Sequence, residues 1–314
     1  MSYPKKETRK KLAIIGATGQ IGKALAEVLL RRNDHNIFLF ARSIEKLNHF
    51  AMMIKTEGVC HTDIIDNFGD NDFDTVVNCV GLGAPTKSIK AGGDIFRITE
   101  KFDDLILDYV STHKKTLYVN LSSGAVYGKS FNEPVNEDSS IQIYVNNLRN
   151  DDFYTISKIN SEAKHRSFPN LNIVDLRIFS FFSKFIEEGS GFLLADIITK
   201  IKNKETLNTS PDNIARDYIS ADDLAKIIDL CESKETINDY FDVYSKEPVR
   251  KFELLDYFAK EYELSYSVSD SSDNSPTGSK PKYYSTSKKA ESLGYKPSLS
   301  SMDSIKKVMK EILV

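Results

Sequence analysis

The chain has 314 residues, with 42 Lys+Arg against 45 Asp+Glu and a formal net charge of -3. That length supports one large domain or two modest ones with a core of their own, and the charge balance excludes the basic surplus of a nucleic-acid binder. Three scattered cysteines, Cys60, Cys79 and Cys231, form no CxxC pair, so neither zinc nor a disulfide framework is signalled.

The basic stretch 1–11 has no apolar run after it, so it reads as a solvated leader rather than a secretory signal. No apolar run approaches the roughly 18 residues of a membrane span. The expectation is a soluble, cytoplasmic protein with no metal, no membrane and no nucleic acid among its partners. Leu12 to Ile15 is a short apolar run ending in Gly16, and Gln20 to Arg32 carries Ile21, Ala24, Leu25, Val28 and Leu29 at helical spacing. Ile37 to Phe40, Thr75 to Val80, Thr116 to Leu121 and Ile173 to Ile178 repeat the strand signal, with a helical pattern over Asp94 to Val110. This alternation predicts β-α-β units and a parallel sheet.

The last third is different. Ser220 to Cys231 reads as a helix with Ser220 as N-cap and Asp223 three residues on. Phe241 to Tyr244 reads as a strand, Lys251 to Glu261 and Met302 to Leu313 as helices, and Ser267 to Pro281 as a surface loop.

Gly16-Ala17-Thr18-Gly19-Gln20-Ile21-Gly22 falls at a strand-to-helix junction. Glycines there permit the tight turn, the approach of backbone to a pyrophosphate and close helix packing, while the helix N-terminus offers free N–H groups to the anion. With its G-x-x-G-x-x-G spacing, the chain begins to resemble the extended short-chain dehydrogenase/reductase family. The second strand ends in Ala41-Arg42-Ser43, where an acidic residue would favour NAD; Arg42 can instead pair with a 2′-phosphate, which favours NADP over NAD. Asp63, just after the third strand, stands where the family holds the adenine edge, and Gly81 where its backbone lines the cofactor.

Tyr154-Thr155-Ile156-Ser157-Lys158 is a YxxxK motif, which puts both polar heads on one helix face. An ammonium beside a phenol stabilises the phenolate and suits it to proton transfer. Ser122-Ser123-Gly124-Ala125-Val126-Tyr127-Gly128 is similar to the family segment that carries the catalytic hydroxyl, which the resemblance assigns to Ser123. Arg216-Asp217-Tyr218-Ile219 resembles the segment whose arginine contacts a nucleotide diphosphate, Ser180 stands where many members have an asparagine on that group, and Leu293-Gly294-Tyr295 resembles the family's closing motif.

The resemblance covers nearly the whole chain and points to its nucleotide-sugar epimerase, dehydratase and reductase group. It implies an α/β fold: a Rossmann-type doubly wound parallel sheet over 1–180 and 217–245, with a small C-terminal α+β substrate-binding cap over 181–216 and 246–314. It implies Ser123, Tyr154 and Lys158 as catalytic residues. The cofactor would lie on Gly16, Thr18, Gly19, Gln20, Ile21, Gly22, Arg42, Asp63, Gly81 and Lys158, and the substrate on Ser180 and Arg216. Gly124 and Ala125 replace the Asp-Glu pair of the 4,6-dehydratases, and Ala125 also stands where other members carry a glutamate for decarboxylation or a cysteine for epimerisation at C3 and C5. Two reactions remain: NADPH-dependent reduction of a 4-keto sugar nucleotide, which is preferred, and NAD-retaining C4 epimerisation. A non-catalytic NADP-binding regulator is the third alternative, and a homodimer is expected from the family.

Overall fold

The computed structural model describes residues 9–54, 58–269 and 280–312. β1 (Lys10–Ile15) leads into α1 (Gln20–Arg32), followed by β2 (His35–Ala41), α2 (Ile44–Met53), β3 (Cys60–Ile64), β4 (Thr75–Asn78), α3 (Pro85–Ala91), α4 (Asp94–Thr112), β5 (Leu117–Ser123), α5 (Asn150–Arg166) and β6 (Ile173–Ile178). The remainder supplies β7 (Ser180–Phe181), α6 (Leu193–Asn203), β8 (Leu207–Thr209), β9 (Ala215–Arg216), β10 (Tyr218–Ile219), α7 (Ala221–Glu232) and β11 (Asn238–Val243). It closes with β12 (Val249–Arg250), α8 (Lys251–Tyr262), β13 (Tyr266–Val268), β14 (Lys282–Tyr283) and α9 (Ser301–Ile312).

Seven strands form one sheet in the order β11-β6-β5-β4-β1-β2-β3, all pairs parallel. This is the doubly wound Rossmann-type arrangement, with the reversal of strand order between β1 and β4. The strands are apolar on both faces because helices cover both. Leu12 and Ile14 of β1 enter one core with Leu25, Leu29 and the α7 residues Leu224 and Ile228. Ala13 and Ile15 enter the other, with Phe102, Ile106 and Val110 of α4. Such two-sided burial is why these strands read as continuous apolar runs rather than alternating ones.

A third core gathers Leu194 and Ile197 of α6, Leu254, Leu255 and Phe258 of α8, and Ile305 and Met309 of α9. Ala290, Leu293 and Tyr295, which lie in the stretch 246–314, pack instead in the first core. Among the described residues no helix is long and apolar enough to cross a membrane.

Three local readings shift. The first strand begins at Lys10, inside the stretch read as leader, because Lys10 and Lys11 pair with His35 and Asn36 of β2. Asp63 lies within β3 rather than after it, paired with Phe40. Residues 267–268 of the expected loop belong to β13 and pair with β8, and 270–279 lie outside the described residues. The Ser220 cap forms as expected: its hydroxyl accepts from the Asp223 N–H at 3.0 Å. The Asp223 carboxylate, however, takes the Ser220 hydroxyl at 2.9 Å rather than the Ser220 backbone N–H, and its other oxygen accepts from the Ser298 N–H at 2.8 Å.

Candidate active site

The glycine turn lies at the carboxyl end of β1, at the strand-order reversal. Gly16 has φ of +80°, and a Cβ there would come within 3.0 Å of the Cys79–Val80 backbone. Its N–H donates to the Phe40 carbonyl at 3.0 Å, tying the turn to β2. Gly22 sits where α1 crosses the turn; a Cβ would lie 2.6 Å from the Gly16 carbonyl oxygen, so only glycine lets the helix come so close. Gly19 is the N-cap, no side chain caps α1, and its first turn holds no acidic residue. Thr18, Gln20 and Ile21 are half-buried around this helix end, which presents its positive dipole outward.

The β4–α3 loop runs from this turn to the YxxxK helix. Asn78 pins it by accepting from the Val80 N–H at 3.0 Å, while its amide donates to the Tyr118 hydroxyl at 3.1 Å. Beyond it, a Cβ on Gly81 would lie 4.0 Å from Lys158 Nζ, and one on Gly83 would lie 3.7 Å from the Tyr154 hydroxyl. The loop thus offers bare backbone to both polar heads of α5.

Lys158 is buried and donates to the Leu121 carbonyl at 2.8 Å, which anchors α5 to β5. Its charge also reaches Cys79, whose thiol burial nevertheless pushes up to about 12 and so keeps protonated. Ser123, the last residue of β5, accepts from the Ala125 N–H at 3.1 Å and lies 3.3 Å from the Tyr283 hydroxyl.

Behind these groups α5 turns a polar face to the sheet. Glu162, one turn beyond Lys158, receives the Ser122 hydroxyl at 2.6 Å and the Arg177 guanidinium through both of its oxygens. Arg177 also donates to the Tyr127 hydroxyl at 2.8 Å, and Tyr127 donates to Asp242 at 2.9 Å. Burial and the Asp242 charge push the Tyr127 phenol up, so it remains a neutral donor. A satisfied network of this kind rigidifies the helix that carries the motif.

A family model for the NAD dependent epimerase/dehydratase family matches residues 12–240. The chain belongs to that family. It is an enzyme of the extended short-chain dehydrogenase/reductase type. Compared by sequence with curated proteins, this family member matches none. Among solved structures it is similar to a UDP-N-acetylglucosamine 4-epimerase from Methanobrevibacter ruminantium in complex with UDP-N-acetylmuramic acid, at 18% identity over 97% of each chain with a TM-score of 0.77. It is similar also to a UDP-glucuronic acid 4-epimerase from Bacillus cereus in complex with UDP-glucuronic acid and NAD, at 18% identity over 96% of this chain and 98% of that one, TM-score 0.75. A dTDP-glucose 4,6-dehydratase from Bacillus anthracis in complex with NAD matches at 14% identity over 96% of each chain, TM-score 0.73.

The remaining residues expected to serve this epimerase/dehydratase family member lie on several separate elements. Arg42 is exposed directly after β2, with no carboxylate at its position. Asp63 spends one oxygen on its neighbours, accepting from the Ile64 N–H at 2.7 Å and the Asn67 amide at 2.8 Å. Ser180 is half-buried on β7, paired with Tyr218. Arg216 donates to the Ala215 and Lys280 carbonyls at 2.8 and 2.7 Å, and its guanidinium stands 5.6 Å from the Tyr283 ring. Burial lowers its affinity for the proton. Lys282 of β14 is ion-paired with Glu133 at 2.7 Å.

Sequence reading of this chain missed Tyr283 and Phe179. Phe179 directly follows the expected strand 173–178 and Tyr283 lies within a basic stretch, and neither carries a signal beyond its aromatic character. Tyr283 is buried, and burial pushes its phenol up.

Proposed function

We propose that this enzyme transfers a hydride to or from a nucleotide-linked sugar, with NADPH-dependent reduction of a 4-keto sugar as the reaction. The observation that carries the reading is the placing of Gly81 against Lys158 Nζ and of Gly83 against the Tyr154 hydroxyl, on the rim that also holds the glycine turn. These residues fit a dinucleotide: the uncapped start of α1 suits its pyrophosphate, and the bare 81–83 backbone leaves room between turn and phenol. The nicotinamide would supply the hydride.

Every other role falls to the chain. Tyr154 gives its hydroxyl proton to the sugar oxygen as that oxygen gains charge, and the Lys158 ammonium stabilises the phenolate left behind. Ser123 donates a hydrogen bond to the same oxygen. Arg42 holds the 2′-phosphate of NADP, Asp63 the adenine edge, and Ser180 and Arg216 the nucleotide diphosphate. The sugar lies under the smaller unit, 181–216 with 246–314, and two copies pair through α4 and α5.

The test is NADPH oxidation across UDP-, GDP-, dTDP- and CDP-linked 4-keto sugars, with Tyr154→Phe as control. Turnover with one of these supports the reading, and none with any of them overturns it. A second reading, an NAD-retaining C4 epimerase, is favoured by the UDP-sugar 4-epimerases among the structural neighbours. It predicts NAD bound to the purified protein and interconversion of two sugars without net oxidation.

A further inference from the structure

Away from the glycine turn, at the amino ends of the sheet strands, one imidazole and two carboxylates converge. His35 opens β2, while Asp229 and Glu232 stand three residues apart in the last turn of α7, on one helix face. One donor atom from each lies within 4.8 Å of the other two. The His35 and Glu232 side chains are buried, and Asp229 is half-buried. All three are held from behind by residues outside the set. Asp34 meets His35 Nδ1 at 2.8 Å, which turns Nε2 the other way. Thr75, the first residue of β4, donates to Glu232 Oε1 at 2.6 Å, and Arg32, the last of α1, donates to Asp229 Oδ2 at 2.6 Å. Each residue keeps one further donor atom. His35 Nε2 and Glu232 Oε2 stand 3.1 Å apart, and Asp229 Oδ1 is buried without a hydrogen-bond partner.

The geometry points to a structural site for a zinc-like divalent cation, held by His35 Nε2, Glu232 Oε2 and Asp229 Oδ1, with water as the fourth ligand. In a plain cluster of ion pairs nearly every buried oxygen finds a donor, and Asp229 Oδ1 does not. Outer partners that orient an imidazole and its companion carboxylates are the usual support of a metal site. Charge agrees. Three carboxylates, Asp34, Asp229 and Glu232, face two cations, Arg32 and Lys10, and the Lys10 ammonium is half-exposed at 3.4 Å from Glu232. α1 and α7 both end at the cluster, and helix carboxyl ends favour a cation. Ligand atoms around a tetrahedral zinc stand about 3.3 Å apart, so a small rotation of the Asp229 carboxylate completes the set. One imidazole with two carboxylates suits zinc and its first-row neighbours rather than ions that need sulfur. The glycine turn and Ser123 lie at the opposite, carboxyl ends of their strands, so the ion clamps β2 to α7 and takes no part in hydride transfer.

The test titrates the full chain, stripped with EDTA, with Zn²⁺ alone by isothermal calorimetry, while circular dichroism checks the fold of each variant. One ion is expected to bind at this site. Its affinity should fall about 100-fold in His35→Gln and about 10-fold in Asp229→Asn, which keeps the shape and removes the charge. Asp34→Asn, which leaves all three ligands in place, should weaken binding about 10-fold through the imidazole it orients. Zinc should also raise the thermal midpoint of the wild type and not that of His35→Gln. Failure of the wild type to bind zinc overturns the proposal, and so does binding of equal strength in the wild type and the three variants. Should those variants fail to fold, Lys10→Met carries the test. It removes only an ammonium that competes for Glu232 Oε2, so binding should tighten; unchanged or weaker binding overturns the proposal. No readout here needs a substrate, so the outcome is independent of the hydride-transfer reading.

Discussion

Tyr283 holds its hydroxyl 3.3 Å from Ser123 Oγ across 160 residues of sequence. The segment carrying it reaches the site because β14 pairs with β9, so that Tyr283 stands beside Arg216. The hydroxyl that we assign to the sugar oxygen is therefore oriented by a residue from the far end of the chain. Tyr283→Phe removes one hydrogen bond of about 1 kcal/mol, which predicts a roughly fivefold loss of turnover with the fold intact. Steady-state kinetics together with circular dichroism measure both.

Tyr154→Phe deletes the transferable proton and leaves the ring in place. A fall of about 10²- to 10⁴-fold in kcat is expected, with dinucleotide binding retained. Fluorescence titration with NADPH separates the two effects, and a lost affinity of similar size would count against a purely chemical role.

Arg42→Ala tests the cofactor choice. A charge-assisted contact to a 2′-phosphate contributes about 1.5–3 kcal/mol, so KM for NADPH should rise about 10- to 100-fold while that for NADH barely moves. Unchanged discrimination between the two would remove Arg42 from the cofactor site.

Gly22→Ala places a methyl group 2.6 Å from the Gly16 carbonyl oxygen, a backbone atom that cannot swing aside. The helix must retreat, at a cost of about 1–3 kcal/mol. Thermal unfolding should show the destabilisation and isothermal titration a weakened dinucleotide.

His165 carries a pH dependence. It is fully buried between Asp103, at 2.7 Å, and Asp175, at 2.8 Å. Burial works against its charge, but the two carboxylates outweigh it and hold the imidazole up at about 9, against a usual 6.5. The unfolded chain loses this proton near the usual value, and the folded chain only near 9. The stabilisation is therefore complete below about 6.5 and is lost as pH rises through 9. Chemical denaturation at a series of pH values should show stability falling across that window, and His165→Gln should flatten the fall.

α5 shows how far the sequence could be read. Its YxxxK spacing was legible because i and i+4 share a helix face whatever surrounds them. That Lys158, Glu162 and His165 all turn inward was not: a buried polar face looks like a solvated one until its partners are known. Those partners, Leu121, Arg177, Asp103 and Asp175, come from three other elements. Arg42 and Asp63 were placed at the ends of their strands by counting alone. The position of Asp63 inside β3 depended on pairing with Phe40, which no local pattern encodes.

The sequence by itself determined the alternating fold, the glycine turn and the order Ser123, Tyr154, Lys158, because each rests on short-range spacing and local propensity. Only the tertiary structure decided which groups close the site. Tyr283 against Ser123 and Gly83 against Tyr154 are contacts between distant segments. They are set by strand order and core packing, which bring together residues that carry no mark of one another in the chain.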